Sequence, residues 1–456
     1  MIQRNAVQPF AAAALVRVMS AAACGLCATL VACSDESLNM GEGVPVVETP
    51  VLPSSSRCRE SPVLEGEVVV RNQEQVDALE GCEGIDGDLY IGAFADAQLR
   101  ALHALTAVSG RFTIGGTPDE QFGVTQPPGL VEPWSEQEKQ EFLEGGWLSS
   151  LEGLEALESA GRLTLYGLAS EDLAPLGNLT TLTDGLLEIW AAPNLKNFNG
   201  LQKLSAFSWL SINAALQLES FDGLTLPSEM EGIDLNDVDL RQLKPLAVTY
   251  LGSLHLEDTQ QHDLAPFANL IGANAIQIVA CQQLESLAGL ENLENLSSLD
   301  LDYNGYLLDV PDFDKLYRLD ALRITGSPSL ARLPAFPIMQ IRPNYVLNPQ
   351  DFTLSRPDVI ELDTLGVTAF SLPGSWLSAS VVKITNNAAL TRVDFTGQSY
   401  IDYLWIQNNP LLLNVSTGAL DKVNVLEVVD NPRLSLGAFA SVRHLDMTAS
   451  GNADAP

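Results

Sequence analysis

Residues 284–310 read LESLAGLENLENLSSLDLDYNGYLLDV, and this stretch decides the fold. Leu296, Leu299, Leu301, Asn304 and Leu307 fall on the spacing L-x-x-L-x-L-x-x-N with a further leucine beyond it, the pattern of one coil in a leucine-rich solenoid. Leu299 and Leu301 alternate to one side of a short strand. Asn304 turns the chain, and an inward amide there can bond backbone groups that the turn leaves unpaired. Leu307 and Val310 close the core below. One coil cannot bury its own apolar face, so it needs neighbours above and below.

The rest of the chain supplies them. Inward pairs recur at Leu89 and Ile91, Phe112 and Ile114, Leu163 and Leu165, Leu187 and Ile189, Leu210 and Ile212, Ile233 and Leu235, Leu254 and Leu256, and Ile276 and Ile278. Beyond Leu299 they continue at Leu322 and Ile324, Ile360 and Leu362, Val382 and Ile384, Leu404 and Ile406, Leu426 and Val428, and Leu445 and Met447. Most neighbours are about 21–24 residues apart, inside the leucine-rich range. A second register keeps phase: Ile189, Ile212, Ile278, Leu301, Ile324, Ile384, Ile406 and Val428 are each followed six residues later by leucine. With a first strand at 68–70 and a degenerate coil near Ile338 and Ile341, roughly seventeen strands are expected, stacking to ~80 Å at the usual strand spacing. The expected class is an α/β-type repeat solenoid, a stack of short parallel strands made mostly of β and loop.

Two segments break the period. Residues 115–147 contain Pro118, Pro127, Pro128 and Pro133, then a capping box at Ser135 and Glu138 that predicts a short helix over 136–144. Such an insertion leaves the stack as a loop, either a functional lid or a surface decoration. Residues 336–357 hold Pro337, Pro343, Pro349 and Pro357 and read as an irregular joint.

The run Gly84-Ile85-Asp86-Gly87-Asp88-Leu89-Tyr90-Ile91, with Leu99, Leu102, Leu105 and Val108 after it, resembles receptor L domains. These are the leucine-rich modules of insulin-receptor-type ectodomains and of many bacterial surface lipoproteins. Asn387-Ala388-Ala389-Leu390, Asn409-Pro410-Leu411 and Asn431-Pro432-Arg433-Leu434 are similar to that family's turn. The resemblance covers residues 58–450 and implies a right-handed solenoid with a binding or scaffolding role and no catalytic residues. The 115–147 insertion departs from the family pattern.

Residues 1–32 read as a targeting segment. Arg4 and Arg17 give a basic start, and an apolar run of small residues, too short to span a bilayer, ends in Leu30-Val31-Ala32-Cys33. This resembles the bacterial lipoprotein signal, which implies lipidation at Cys33 and membrane attachment; a plain secretory peptide is the alternative. Ser34, by resemblance to Gram-negative sorting, implies the outer membrane and the cell surface. Residues 34–57 are rich in Ser, Pro, Glu and Gly and read as a disordered tether with a reach of roughly 25–30 Å.

In an oxidising compartment Cys58 and Cys82 are expected to pair as a disulfide that caps the first coil, stabilising by about 3 kcal/mol in the chain-entropy model. A metal site is the rival, but it needs two further ligands, and no histidine precedes His103. At the other end, residues 448–456 are short and polar. An uncapped last coil would expose Leu426, Val428, Leu445 and Met447 and would fray or pack end to end on a second copy of the chain.

The formal charge of −34 is dispersed and opposes nucleic acid and anionic surfaces. Asp300, Asp302, Asn304, Gly305 and Asp309 imitate an EF-hand start, but Pro311 stands where the loop needs glutamate, so no metal is expected. The histidines, His103, His255, His262 and His444, form no H-E-x-x-H, and no nucleophile elbow, dinucleotide fingerprint or P-loop occurs. Neither a cofactor nor an enzyme is expected. Binding is instead expected on the outward strand positions: Tyr166, Trp190 and Trp209, then Asp234, Glu257, Asp300 and Asp302, with Tyr403 and Trp405 as a second aromatic pair. The bland alternative is that the insertion or a neighbouring loop covers them. The expected function is a surface-anchored lipoprotein that binds a protein or glycan ligand. The alternatives are a structural spacer without a discrete ligand and, third, a carbohydrate-active enzyme.

Overall fold

A computed structural model describes residues 58, 61–92, 98–115, 148–333, 359–372 and 378–454. Cys33, the tether, most of the 115–147 insertion with its expected helix, and the 336–357 segment lie outside the described residues. The fold is a parallel β-solenoid of about 14 turns with little helix.

Its spine is a single buried column. Leu254 pairs with Ile276, Ile276 with Leu299, Leu299 with Leu322, Leu322 with Ile360, Ile360 with Val382, Val382 with Leu404 and Leu404 with Leu426. All are fully or almost fully buried. The Ala321–Thr325 strand pairs directly with Val359–Asp363, so no rank lies between them for the expected coil near Ile338 and Ile341. Likewise Ala107–Ile114 pairs directly with Ser159–Tyr166, so no rank lies between those two strands.

The long strands do not alternate strictly. In Asn295–Asp302 the buried residues are Leu296, Leu299 and Leu301, with Ser297 and Ser298 both facing outward between the first two. Tyr250–Glu257 and Lys422–Val429 repeat this pattern. At the carboxy-terminal end of most ribbon strands one residue takes the left-handed conformation: Ala191, Ala214, Asp237, Asp258, Ala280, Tyr303, Thr364, Asn386, Asn408 and Asp430, all with φ of 50–58°. Gly167, Gly326 and Gly451 fill the same phase. This reversal turns the following side chain back into the core, which is why Asn304, Asn387, Asn409 and Asn431 are fully buried.

Those asparagines are fully used. Asn304 Oδ1 accepts from the Cys281 N–H at 3.0 Å, and its Nδ2 donates to the Ile278 carbonyl at 2.8 Å. From residue 359 onward the device becomes a ladder. The N–H groups of Leu365, Asn387, Asn409 and Asn431 donate to the Oδ1 of Asn387, Asn409, Asn431 and Asn452 in turn. The same amides donate back to carbonyls of the preceding coil, Asn409 to Ile384 at 3.0 Å and Asn431 to Ile406 at 2.8 Å. In these coils the far wall is a second parallel sheet of Ala369–Ser371, Arg392–Asp394 and Asn414–Ser416. In earlier coils that wall carries short 3₁₀ turns such as Ala174–Leu176 and Ala265–Phe267.

The amino-terminal end carries the Cys58–Cys82 disulfide, with a Cα–Cα distance of 4.9 Å, which removes the metal alternative there. A short helix, Gln73–Asp77, capped by Asn72, buries Val76 beside it.

The carboxy-terminal end departs from expectation. The last strand is Arg443–Ser450, and it pairs Leu426 with Met447 and Val428 with Ala449. The inward pair is therefore Met447 and Ala449, not Leu445 and Met447. Leu445 points outward and is 78% exposed, while Leu426 and Val428 are fully covered by the coil below. The physical reason is a longer spacing than the leucine suggested: Met447 follows Leu426 by 21 residues, whereas Leu445 follows it by 19. Asn452 follows Asn431 closely enough to continue the amide ladder, and that fixes the register.

Candidate functional site

Because the inward columns are apolar, chemistry is confined to the outward faces of the strands and the turns beside them. In the central outward column the register runs Thr164, Glu188, Ser211, Asp234, His255, Gln277, Asp300, Arg323, Glu361, Lys383, Trp405 and Glu427. The column beside it holds Trp190, Asn236, Glu257 and Asp302. Trp209 and Tyr403 stand in a further outward column, so the expected site residues share one ribbon, and all but one of them reach its surface.

The exception is Tyr166, which is only 1% exposed and cannot meet a ligand. Its ring lies 6.0 Å from that of Trp190, and Gly115 approaches so closely that a Cβ there would sit 2.9 Å from the Tyr166 Cβ. Burial, followed by the Glu188 charge, pushes the phenol far above its ordinary range. Tyr166 is a core residue that happens to occupy an outward column.

Around Trp190 and Asp234 the ribbon is acidic. The strands Leu186–Trp190, Trp209–Ala215, Glu229–Val238, Tyr250–Glu257, Gly272–Val279 and Asn295–Asp302 contain no lysine or arginine. Glu188 is held by the Trp190 indole at 2.8 Å and the Thr164 hydroxyl at 3.1 Å. Burial raises the Asp234 carboxyl above its ordinary range; Glu257 and Glu188 add to the rise, while His255 and a Ser211 hydrogen bond oppose it. His255 sits between them, its Nε2 3.5 Å from Glu257 and its Nδ1 3.1 Å from Gln277 Oε1. Burial works against its charge, but Glu257 and Asp234 outweigh it and lift the imidazole above its ordinary value. Glu257 is held low by the same hydrogen bond. It also accepts from Asn236 at 2.9 Å. Sequence reasoning passed over His255, although its phase in the column was readable.

Further along, the charges are paired. Arg323 Nη1 lies 3.0 Å from Asp300 and its Nε 3.9 Å from Glu361, and Lys383 lies 3.5 Å from Glu361. Asp302 accepts from the Thr325 hydroxyl. Lys383 Nζ stands 5.6 Å over the Trp405 ring, whose other neighbour is the stacked Tyr403 ring at 5.5 Å.

Trp209 is placed by a glycine. In register with it on the next coil is Gly232, and a Cβ built there would lie 2.6–2.7 Å from three adjoining atoms of the indole. Equal distances to three adjoining ring atoms mean that the ring lies face-down over the glycine. Any larger residue at 232 would lift it.

Cys281 is fully buried beside the Thr259 hydroxyl at 3.0 Å, and burial, opposed by Thr259, pushes its thiol up. It is therefore a poor nucleophile. Among the described residues no group of three or more His, Cys, Asp or Glu side chains is placed to hold a metal ion, and no helix is long and apolar enough to cross a membrane.

No protein-family model matches the chain, and no curated protein matches it. Solved structures do. A crystal structure of the TLR13–ssRNA13 complex shares 10% identity over 84% of this chain and 76% of its own, with a TM-score of 0.25. The plant peptide hormone receptor RGFR1 in complex with RGF2 shares 11% identity over 86% of this chain and 80% of its own, also with a TM-score of 0.25. Both are leucine-rich repeat receptors. Superpositions this loose carry no argument about ligands, and the assignment of a leucine-rich parallel solenoid rests on the strand register and the asparagine turns described above.

Proposed function

We propose that this protein is a surface-anchored lipoprotein whose solenoid binds a protein or glycan ligand through the outward ribbon, without catalysis. The observation that carries the binding reading is the acidic stretch of six successive strands from Leu186–Trp190 to Asn295–Asp302, which holds carboxylates and aromatic rings and no lysine or arginine. Packing does not require that bias, because the core lies on the other side of the sheet. A desolvated carboxylate such as Asp234 costs stability, and a ligand that supplies donors or positive charge offsets that cost. The anchor reading rests on Leu30-Val31-Ala32-Cys33 at the end of a basic, then apolar, leader.

Two experiments test these readings separately. Cys33→Ser in the full chain is expected to release the protein from membranes; an unchanged membrane fraction overturns the anchor. Asp234→Lys is expected to abolish capture of surface components that the unaltered chain retains. If the captured set is the same, the ribbon is not the binding face and the spacer reading takes over. The last described coil carries its own proposal: two copies pair through the outer edge of Arg443–Ser450, which no described strand covers, with exposed Leu445 at the contact. Leu445→Lys should then convert a dimer to a monomer in light scattering, and a monomer at every concentration before substitution refutes pairing.

A further inference from the structure

Beside Trp209 the sheet face is hollowed. Gly252 and Gly272 occupy outward or edge positions where other coils carry side chains. A Cβ on Gly252 would meet the Glu231 carbonyl oxygen at 2.3 Å, so this floor cannot hold a larger residue without backbone movement. Tyr250, 45% exposed, leans on Gly272, with two ring atoms 3.0 Å from where a Cβ would be. The result is an open depression of about 440 Å³ between coils, walled by Tyr250, Ser208, Glu229, Glu231 and Asn274. Trp209, flat over Gly232, adjoins Ser208 on one side and the residue after Glu231 on the other.

We propose that this depression binds an uncharged pyranose residue of a glycan. The inference rests on the ribbon reading above and names its ligand class. Tyr250, laid against Gly272 and 45% exposed, keeps its other face for a ligand, with Trp209 flanking it, and the weakly positive C–H face of a sugar ring suits the negative π-face. The walls mix acceptors, Glu229 and Glu231, with groups that both donate and accept, the Asn274 amide and the Ser208 hydroxyl. Sugar hydroxyls also donate and accept, so they can use every wall, and those that donate to a carboxylate form the stronger, charge-assisted bonds. A guanidinium stacks on an indole as well, but it only donates, and it leaves the amide and hydroxyl donors without partners. The chain's charge of −34 repels sulfated and uronic glycans, which leaves neutral sugars as the favoured class.

The test uses the full chain on an array of neutral, sulfated and uronate-containing glycans, with a labelled hexa-arginine peptide as a separate probe. Binding is expected to neutral glycans only. Trp209→Ala and Tyr250→Ala are each expected to weaken it by about tenfold or more. Circular dichroism of each variant should match the unaltered chain; if Trp209→Ala perturbs folding, the exposed Tyr250 decides. Glu74→Lys, on the amino-terminal helix Gln73–Asp77 and away from the ribbon, should leave glycan binding unchanged. The proposal is overturned by an array without neutral-glycan binding, by binding that survives both aromatic substitutions, or by hexa-arginine binding that both substitutions abolish in place of glycan binding. Capture lost in Asp234→Lys but kept in Trp209→Ala and Tyr250→Ala would remove the sugar site and leave the ribbon reading standing.

Discussion

Strands between residues 186 and 302 and strands between residues 321 and 429 share one buried column and one register, yet their outward faces are unlike. The first set has carboxylates and aromatic rings with no lysine or arginine in the strands. The second alternates charge: Arg323, Glu361 and Lys383 continue from Asp300, the carboxylate at the end of the first set, as a chain of ion pairs into the Trp405 ring. Their turns differ too. The second set ends in an unbroken asparagine ladder, whereas the first places Thr259, Cys281 and Asn304 at that position. In a stack each coil touches only its neighbours, so a face can change character without disturbing the core. The paired face stabilises itself only modestly, since half-exposed ion pairs contribute about 0–1 kcal/mol each. The face without lysine or arginine is where a partner has most to add.

Four measurements test the difference between the two faces. The largest effect belongs to the column that both sets share. Leu299→Ala should cost about 2–5 kcal/mol in denaturant melts, whereas Asp300→Ala, one residue away on the ribbon, should cost under ~0.5 kcal/mol. Equal losses would mean that the inward and outward faces are misassigned.

Next comes the turn. Asn409→Leu strands the Asn387 N–H and the Ile384 carbonyl in the core, and each buried polar group left unpaired costs about 1–3 kcal/mol. Cys281→Ala, at the same phase in the other set, removes only weak sulfur contacts and should cost about 1 kcal/mol. A Cys281 variant as damaging as the Asn409 variant would show that the ladder is no stronger than its substitute.

A smaller effect, of opposite sign, is expected at the left-handed position. Ala280 has φ of 53°, and Ala280→Gly should raise stability by roughly 0.5–1 kcal/mol. Asn408→Gly should change little, because asparagine tolerates that conformation. Thermal melts of the two variants give the contrast directly.

The smallest effect is a pH dependence confined to the acidic set. The folded imidazole of His255 titrates above its ordinary value of 6.5, so its contribution is fully present below that pH and is lost as pH rises through the folded value. Asp234 is also raised, and its neutral form is the one favoured by folding, so it too opposes stability once pH passes its folded value. Glu257 has the opposite sign, since its lowered carboxyl loses stabilisation as pH falls through its folded value. His255→Gln should therefore flatten the loss of melting temperature above pH 6.5, whereas Lys383→Gln in the paired set should leave that slope alone. An unaltered slope in His255→Gln would show that the imidazole is not coupled to the carboxylates beside it.

Much of this was open to reading in the chain itself. The recurrence of an inward pair, in eight coils with a leucine six residues after it, settled the solenoid, because a period of about 21–24 residues with a fixed internal phase has few other physical solutions. It gave the buried column and the alignment of Trp190, Trp209, Asp234, Glu257 and Asp300 on one ribbon, while the Cys58–Cys82 pairing followed from an oxidising compartment and the lack of metal ligands nearby. Periodicity also carried, unread, the left-handed position, where Asn386, Asn408, Asp258 and Gly326 share a phase. What it could not carry is anything set by the neighbouring coil, since a residue's partners lie more than twenty positions away and depend on register. Tyr166 is buried because Trp190 and Gly115 close on it, and Trp209 lies flat because residue 232 is glycine. Leu445 faces water, not the core, because Asn452 fixes the last coil on the amide ladder. Sequence determined the columns, since burial is periodic along the chain. Tertiary structure alone decided which members of each column are sealed, paired or left open, since those contacts run across the coils.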